Sequence, residues 1–104
     1  MRRAKVRFRS QALDDLREIF RVVLSLSQSP ETARRYVGRI RDRCETIGDA
    51  PHGGAPREEL APGLRMVTFE HSAIILYKVE DGTVLITNIF YGRRDYAVLV
   101  RVSG

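Results

Sequence analysis

Apolar positions along this chain switch between two periods, and the switches lay out its elements. From Arg3 to Arg9, Ala4, Val6 and Phe8 alternate with basic residues. Period two marks a strand with one covered face, here the face carrying Val6 and Phe8. The period then lengthens: Ala12, Leu16, Ile19, Phe20, Val23 and Leu24 recur at helical spacing. Ser10 is expected at the N-cap, its hydroxyl accepting from the N–H groups that open the helix. Asp14, Asp15 and Glu18 lie toward that end, where the helix dipole favours negative charge. The pattern stops near Leu26, in a serine-rich run. Ser29-Pro30-Glu31 opens a second helix: Ser29 caps, Pro30 needs no N–H at the first helical position, and Glu31 complements the dipole. Ala33, Tyr36, Val37, Ile40, Cys44 and Ile47 form its apolar stripe, and Arg34, Arg35, Arg39, Arg41, Asp42 and Arg43 fall mostly off it. Gly48 is the expected C-cap, and Pro51 cannot continue the helix. The short link makes the two helices an antiparallel hairpin.

Asp49 to Gly63, rich in Gly and Pro, reads as loop. Leu64–Phe69, Ala73–Glu80 and Thr83–Tyr91 read as strands, joined by turns at Glu70-His71-Ser72 and Asp81-Gly82. The nearly continuous apolar run Ala73 to Tyr77 suits a central strand. The tail from Asp95 to Val102 fits a strand or one or two helical turns. The expected fold is therefore α+β in one domain, residues 1–104: an N-terminal strand, an antiparallel helical hairpin, then a three-stranded antiparallel meander. The hairpin is expected on one face of a small antiparallel sheet.

Composition narrows the partners. The 104 residues carry a net charge of +5, almost all of the positive charge being arginine, with Lys5 and Lys78 the only lysines. Arginine presents a planar fork of donors to carboxylates and phosphates, so an acidic partner is one expectation and a solvated surface the other. Cys44 is the single cysteine, which excludes an internal disulfide and fits a reducing, cytoplasmic setting. The basic N-terminus has no apolar run behind it and is not read as a signal peptide, and no stretch approaches the length of a membrane span.

No cofactor is expected, since Gly53-Gly54 lacks the context of a nucleotide-binding loop. His52, His71 and Cys44 show no metal-ligand spacing. Cys44 lies on the apolar stripe and reads as a core thiol. What remains is basic and aromatic: Arg65, His71, Tyr77, Arg93, Arg94 and Tyr96. Metal-free RNA cleavage needs a base for the 2′-hydroxyl, a cation for the phosphorane and an acid for the leaving oxygen, and such groups can supply them. Each also has a structural reading. Arg65 is placed to pair with Glu58 or Glu59, Tyr77 suits a core position with a satisfied hydroxyl, His71 reads as exposed in its turn, and Arg93-Arg94-Asp95 as a solvated strand end.

The ordered set Ser29-Pro30-Glu31-Thr32-Ala33-Arg34-Arg35-Tyr36-Val37, Pro56 to Arg65 with its strand pair to Tyr77, and Tyr91-Gly92-Arg93-Arg94-Asp95-Tyr96 resembles the ParE branch of the ParE/RelE toxins of bacterial toxin–antitoxin pairs. The resemblance covers nearly the whole chain and implies the same α+β fold. It implies DNA gyrase as target and a ParD-like antitoxin as partner, with no direct sequence-specific DNA binding. On that reading Arg93, Arg94, Asp95 and Tyr96 are the target-binding candidates. Arg34, Arg35, Arg39, Arg43, Arg57 and Arg65 are the antitoxin-interface candidates. The alternative is a RelE-like ribosome-dependent RNase, for which Arg65, Arg93 and Tyr96 are the catalytic candidates. Two departures separate them. RelE-type enzymes carry an arginine shortly before the position of Tyr77, where this chain has Ile74 and Ile75, and lysines where it has Arg57-Glu58-Glu59. A small basic nucleic-acid-binding module is a third reading.

Overall fold

A computed structural model describes residues 3–92. The elements are β1 (Lys5–Phe8), α1 (Ser10–Ser27), α2 (Pro30–Ile47), β2 (Ala55–Pro56), β3 (Arg65–Phe69), β4 (Ala73–Glu80) and β5 (Thr83–Tyr91). Both helices cover one face of a five-stranded sheet ordered β1-β5-β4-β3-β2. The core lies between them, with Leu16, Ile19, Ala33, Ile40 and Cys44 packed against Ile75, Tyr77, Val84, Ile86 and Ile89. Burial pushes the Cys44 thiol up to about 12, so it stays protonated, as a core thiol should.

The sheet is mixed, not wholly antiparallel. β1 pairs parallel with β5, Lys5 opposite Thr83 through Phe8 opposite Ile86. Alternation along Ala4, Val6 and Phe8 specifies a strand and its covered face but says nothing of direction. Here the first and last strands become neighbours because the chain crosses the helical layer between them, a connection that permits parallel pairing.

Local expectations change at the start of α1 and in the loop after α2. Ser10 is the first helical residue of α1, and Arg9 holds the N-cap without a side-chain cap. The reason is that sheet pairing runs on through Arg9, whose N–H donates to Ile86 O at 2.9 Å, leaving no residue between strand and helix. Asp14, Asp15 and Glu18 consequently lie beyond the first turn. Gly48 is the C-cap of α2, as expected, and stands at φ −59° in the right-handed region. Its glycine is required by close approach: a Cβ there would sit 2.5 Å from Ala4 O. The loop after α2 contains β2, whose Ala55 and Pro56 pair with Met66 and Arg65. Two residues without apolar alternation leave no strand signal, and a proline is tolerated because the strand is at the edge.

The start of α2 is as read. Ser29 Oγ accepts from Thr32 N at 3.2 Å, and Pro30 takes the first position. β4 and β5 keep the expected bounds, and Asp81-Gly82 turns with both residues at positive φ. A register shift at Leu76/Tyr77 sets Leu76 opposite Asn88 and Tyr77 opposite Ile86. Thr87, left over, is buried and donates to Leu76 O. Beyond β1 the outer edge of β5 is tended by α1: Asp15 accepts from Ile89 N at 2.8 Å. Burial holds that carboxyl above its usual range, with the Ile89 and Gln11 hydrogen bonds pulling it back. Among the described residues no helix is long and apolar enough to cross a membrane.

Candidate functional site

The basic and aromatic residues separate into two ends of the sheet. At one end Arg65 and Tyr77, direct cross-strand partners, both reach into the loop after α2. Arg65 Nη1 donates to His52 O at 2.9 Å and to Gly54 O at 2.8 Å. Tyr77 is wholly buried; its hydroxyl donates to Pro51 O and accepts from Gly54 N, both at 2.9 Å. Gly54 is a glycine because a Cβ would lie 2.5 Å from that hydroxyl. Arg65 therefore does not pair with Glu58 or Glu59. Arg57 takes Glu59 at 2.7 Å, and Glu58 accepts from Gly63 N at 2.8 Å, closing the loop on itself. Tyr77 has the satisfied core role expected of it.

At the other end three elements converge. Tyr36 of α2 meets Phe69 and Tyr91 edge-to-face, with centroids 5.8 and 5.7 Å away. Its hydroxyl shares a 2.6 Å hydrogen bond with Ser72 Oγ. Burial holds the phenol above its usual range, the Ser72 bond partly offsetting it. Arg39, one turn on, grips Glu70 with two bonds of 2.9 and 3.1 Å and lies 5.5 Å from the Tyr36 ring centroid. The Arg39 hydrogen bonds hold Glu70 below the usual carboxylate range. Glu70 and His71 form the β3–β4 turn with φ of 48° and 55°, values that non-glycine residues adopt at a cost. Gly92 N donates to Ser72 O at 2.6 Å, which pins the end of β5 to this turn.

Sequence reasoning missed this corner. Periodicity puts Tyr36 on a core stripe, Glu70 and Ser72 read only as a turn, and Tyr91 as the start of the segment that carries the resemblance; no pattern joins them. The available signal was the Glu-His turn itself, two non-glycine residues where a tight hairpin calls for Asn-Gly. His71 is exposed there, as read. The α2 arginines are differently engaged: Arg35 pairs with Glu31 at 2.8 Å, Arg39 with Glu70, and Arg43 donates to Thr46 Oγ1. Arg34 is exposed and has no ion-pair partner among the described residues. Arg93, Arg94, Asp95 and Tyr96 lie outside the described residues. Chemically the corner offers hydroxyls, an aromatic cluster and a preformed ion pair. Among the described residues no three His, Cys, Asp or Glu side chains gather to hold a metal.

The model of the family described as "ParE toxin of type II toxin-antitoxin system, parDE" matches residues 6–96. The chain belongs to this toxin family. The fold agrees with solved structures. The chromosomal ParDE system of P. aeruginosa superposes with a TM-score of 0.76 at 23% identity, covering 86% of this chain and 97% of that one. The RelBE2 toxin–antitoxin complex of Mycobacterium tuberculosis gives 0.67 at 23% identity, covering 90% and 97%. The intact RelBE complex of E. coli gives 0.55 at 14% identity, covering 88% and 99%. At these identities the likeness establishes a shared ParE/RelE fold. No curated protein sequence matches the chain. Within this toxin fold, the Arg65–Tyr77 end braces the loop that leads into β2, and the Tyr36–Glu70 end gathers side chains where β5 ends at Tyr91.

Proposed function

We propose that this toxin arrests growth by binding DNA gyrase rather than by cleaving RNA. The observation that carries the reading is the commitment of Arg65. Its guanidinium is held by two loop carbonyls, and the strand opposite offers Ile74 and Ile75 instead of a cation. An RNase of the RelE kind needs cations facing the scissile phosphate, and Glu58 and Glu59 beside the sheet repel one. In this reading Arg93, Arg94, Asp95 and Tyr96, which follow the corner of Tyr36, Ser72 and Gly92 in sequence, form the gyrase contact. The chemistry of DNA breakage then belongs to gyrase.

Two of the structural neighbours are toxin–antitoxin complexes. By analogy a ParD-like antitoxin lays an amphipathic helix and an extended segment over this chain, its acidic side chains meeting the α2 arginines. Arg34 is the readiest anchor, since Arg35 and Arg39 must first release Glu31 and Glu70. The association rate should fall as salt rises, because steering between exposed charges is screened.

The test is a supercoiling and DNA-cleavage assay with purified gyrase, run beside ribosome-dependent mRNA cleavage. Gyrase inhibition without mRNA cuts is expected. Codon-specific cuts that disappear on changing Arg93 or Tyr96 would transfer the assignment to the RNase reading. Arg93→Ala with Arg94→Ala should weaken gyrase binding by ~2 kcal/mol, roughly thirty-fold, while sparing the melting temperature.

A further inference from the structure

The exposed cations fall into two populations. Several on the helices are neutralised locally, Arg17 by Asp14 at 2.6 Å, Arg21 by Glu18 at 3.2 Å and Arg35 by Glu31 at 2.8 Å, while Arg34, Arg41 and Arg43 of α2 are scattered cations with no ion pair among the described residues. Arg3, ahead of β1, pairs with Asp49 at 2.8 Å. Lys5, Arg7 and Arg9 differ. They alternate along the exposed side of β1, and among the described residues none lies within ion-pair distance of a carboxylate. The sequence concentrates charge here as well. Arg2, Arg3, Lys5, Arg7 and Arg9 precede the first carboxylate, Asp14, and five cations equal the whole net charge of +5.

Register sets one further cation, Lys78, on the same face two strands in from the row. Arg7 is opposite Leu85, and Leu85 is opposite Lys78, so all three share the sheet face turned away from the helices. Among the described residues β1 is an edge strand paired with β5 alone, and no described strand covers its outer side. Alternate residues of a strand are about 6.7 Å apart, so Lys5 to Arg9 spans about 13 Å. The three side chains, one every second residue, can each meet a phosphate of one DNA backbone.

We propose that the exposed side of β1 is a contact surface for the phosphate backbone of duplex DNA, held without base readout. Duplex is favoured over an unpaired strand because unpaired bases need aromatic side chains to stack on. Phe8, the aromatic of β1, faces the helices, its ring 5.3 Å from the Arg41 guanidinium. Glu80 and Asp81 share the cleft with Arg7 and Arg9 on the inner side of the row. They repel phosphate, so the backbone runs along the outer edge of β1. This surface does not rest on the gyrase reading and is tested without gyrase.

The test measures fluorescence anisotropy of a duplex of about 20 base pairs with the purified full chain, between about 50 and 200 mM salt. Lys5, Arg7 and Arg9 predict that binding weakens roughly forty-fold across that range. Arg7→Gln with Arg9→Gln should reduce the logarithmic salt slope by about 2, as two phosphate contacts are lost. Arg17→Gln with Arg21→Gln removes the same charge from α1 and should leave the slope unchanged. Glu80→Gln with Asp81→Asn should tighten binding. Equal losses in the two arginine pairs would reduce the effect to net charge and overturn the proposal. So would absence of binding at the lowest salt, tighter binding to an unpaired strand, or equally effective competition by polyglutamate. Thermal melts report folding; should the Arg7/Arg9 variant not fold, the Glu80/Asp81 pair decides alone, and unchanged or weaker binding there overturns the proposal.

Discussion

The two ends of the sheet use the same residue types for opposite purposes. Each sets a tyrosine hydroxyl beside an arginine. At the loop end the partners are backbone: Tyr77 and Arg65 address Pro51, His52 and Gly54. At the turn end they are side chains: Tyr36 meets Ser72, and Arg39 meets Glu70. Backbone partners cannot move without the loop moving, so Arg65 and Tyr77 are structural. Side-chain partners on an exposed turn can be exchanged for those of another protein. Residue type alone therefore does not mark a site in this toxin; the partner and its burial do.

That contrast can be broken experimentally, and the largest effect is expected at Tyr77. Tyr77→Phe leaves the Gly54 N–H and the Pro51 carbonyl without their buried partner, at about 1–3 kcal/mol each. A fall in melting temperature of ~10 °C or more should follow, with toxicity lost only in proportion to unfolding. A variant as stable as the wild type would show that water replaces the hydroxyl and that the loop end is not a clamp.

Arg65→Met comes next. It removes two charge-assisted hydrogen bonds from a half-buried position, a loss of about 1–3 kcal/mol by denaturant unfolding. A folded, fully stable but non-toxic Arg65→Met would move Arg65 from brace to site. Tyr36→Phe should be milder, about 1 kcal/mol, because Ser72 keeps Phe69 O as an alternative partner and the aromatic contacts survive. If the corner holds the target-binding segment, gyrase inhibition should drop more than stability does.

The smallest effect concerns charge. Glu70 has its carboxyl held below the usual range by Arg39, so it favours the folded state when ionised. That contribution is present above the ordinary carboxylate pKa and is lost as pH falls through the lowered folded value. The gap in melting temperature between wild type and Glu70→Gln should be widest near neutral pH and close in acid. A gap independent of pH would mean that the Arg39–Glu70 pair is not coupled to folding. Asp15 runs the other way. Its carboxyl is raised by burial, so its charge disfavours the folded state near neutral pH, and that cost disappears as pH falls through the raised value. Asp15→Asn, which can still accept from Ile89 N, should therefore melt no lower than wild type at neutral pH.

Much of this was legible in the chain and some of it could not be. Helical spacing along Ala33, Tyr36, Ile40, Cys44 and Ile47, the Ser29-Pro30 start and the Asp81-Gly82 turn each encode a local preference, and local preferences set elements and buried faces. The α+β arrangement follows, because a helical hairpin and a meander have one economical way to cover each other. Alternation in β1 carries no direction, so its parallel pairing with β5 was decided only when the chain had crossed the helical layer. Arg65 stood within reach of two carboxylates along the sequence, yet its partners are carbonyls brought there by the return of the loop after α2. The Tyr36 corner draws on residues from α2, the β3–β4 turn and the end of β5. Such contacts depend on distances that no local pattern records: periodicity determines which side of an element is covered, and tertiary packing determines what covers it.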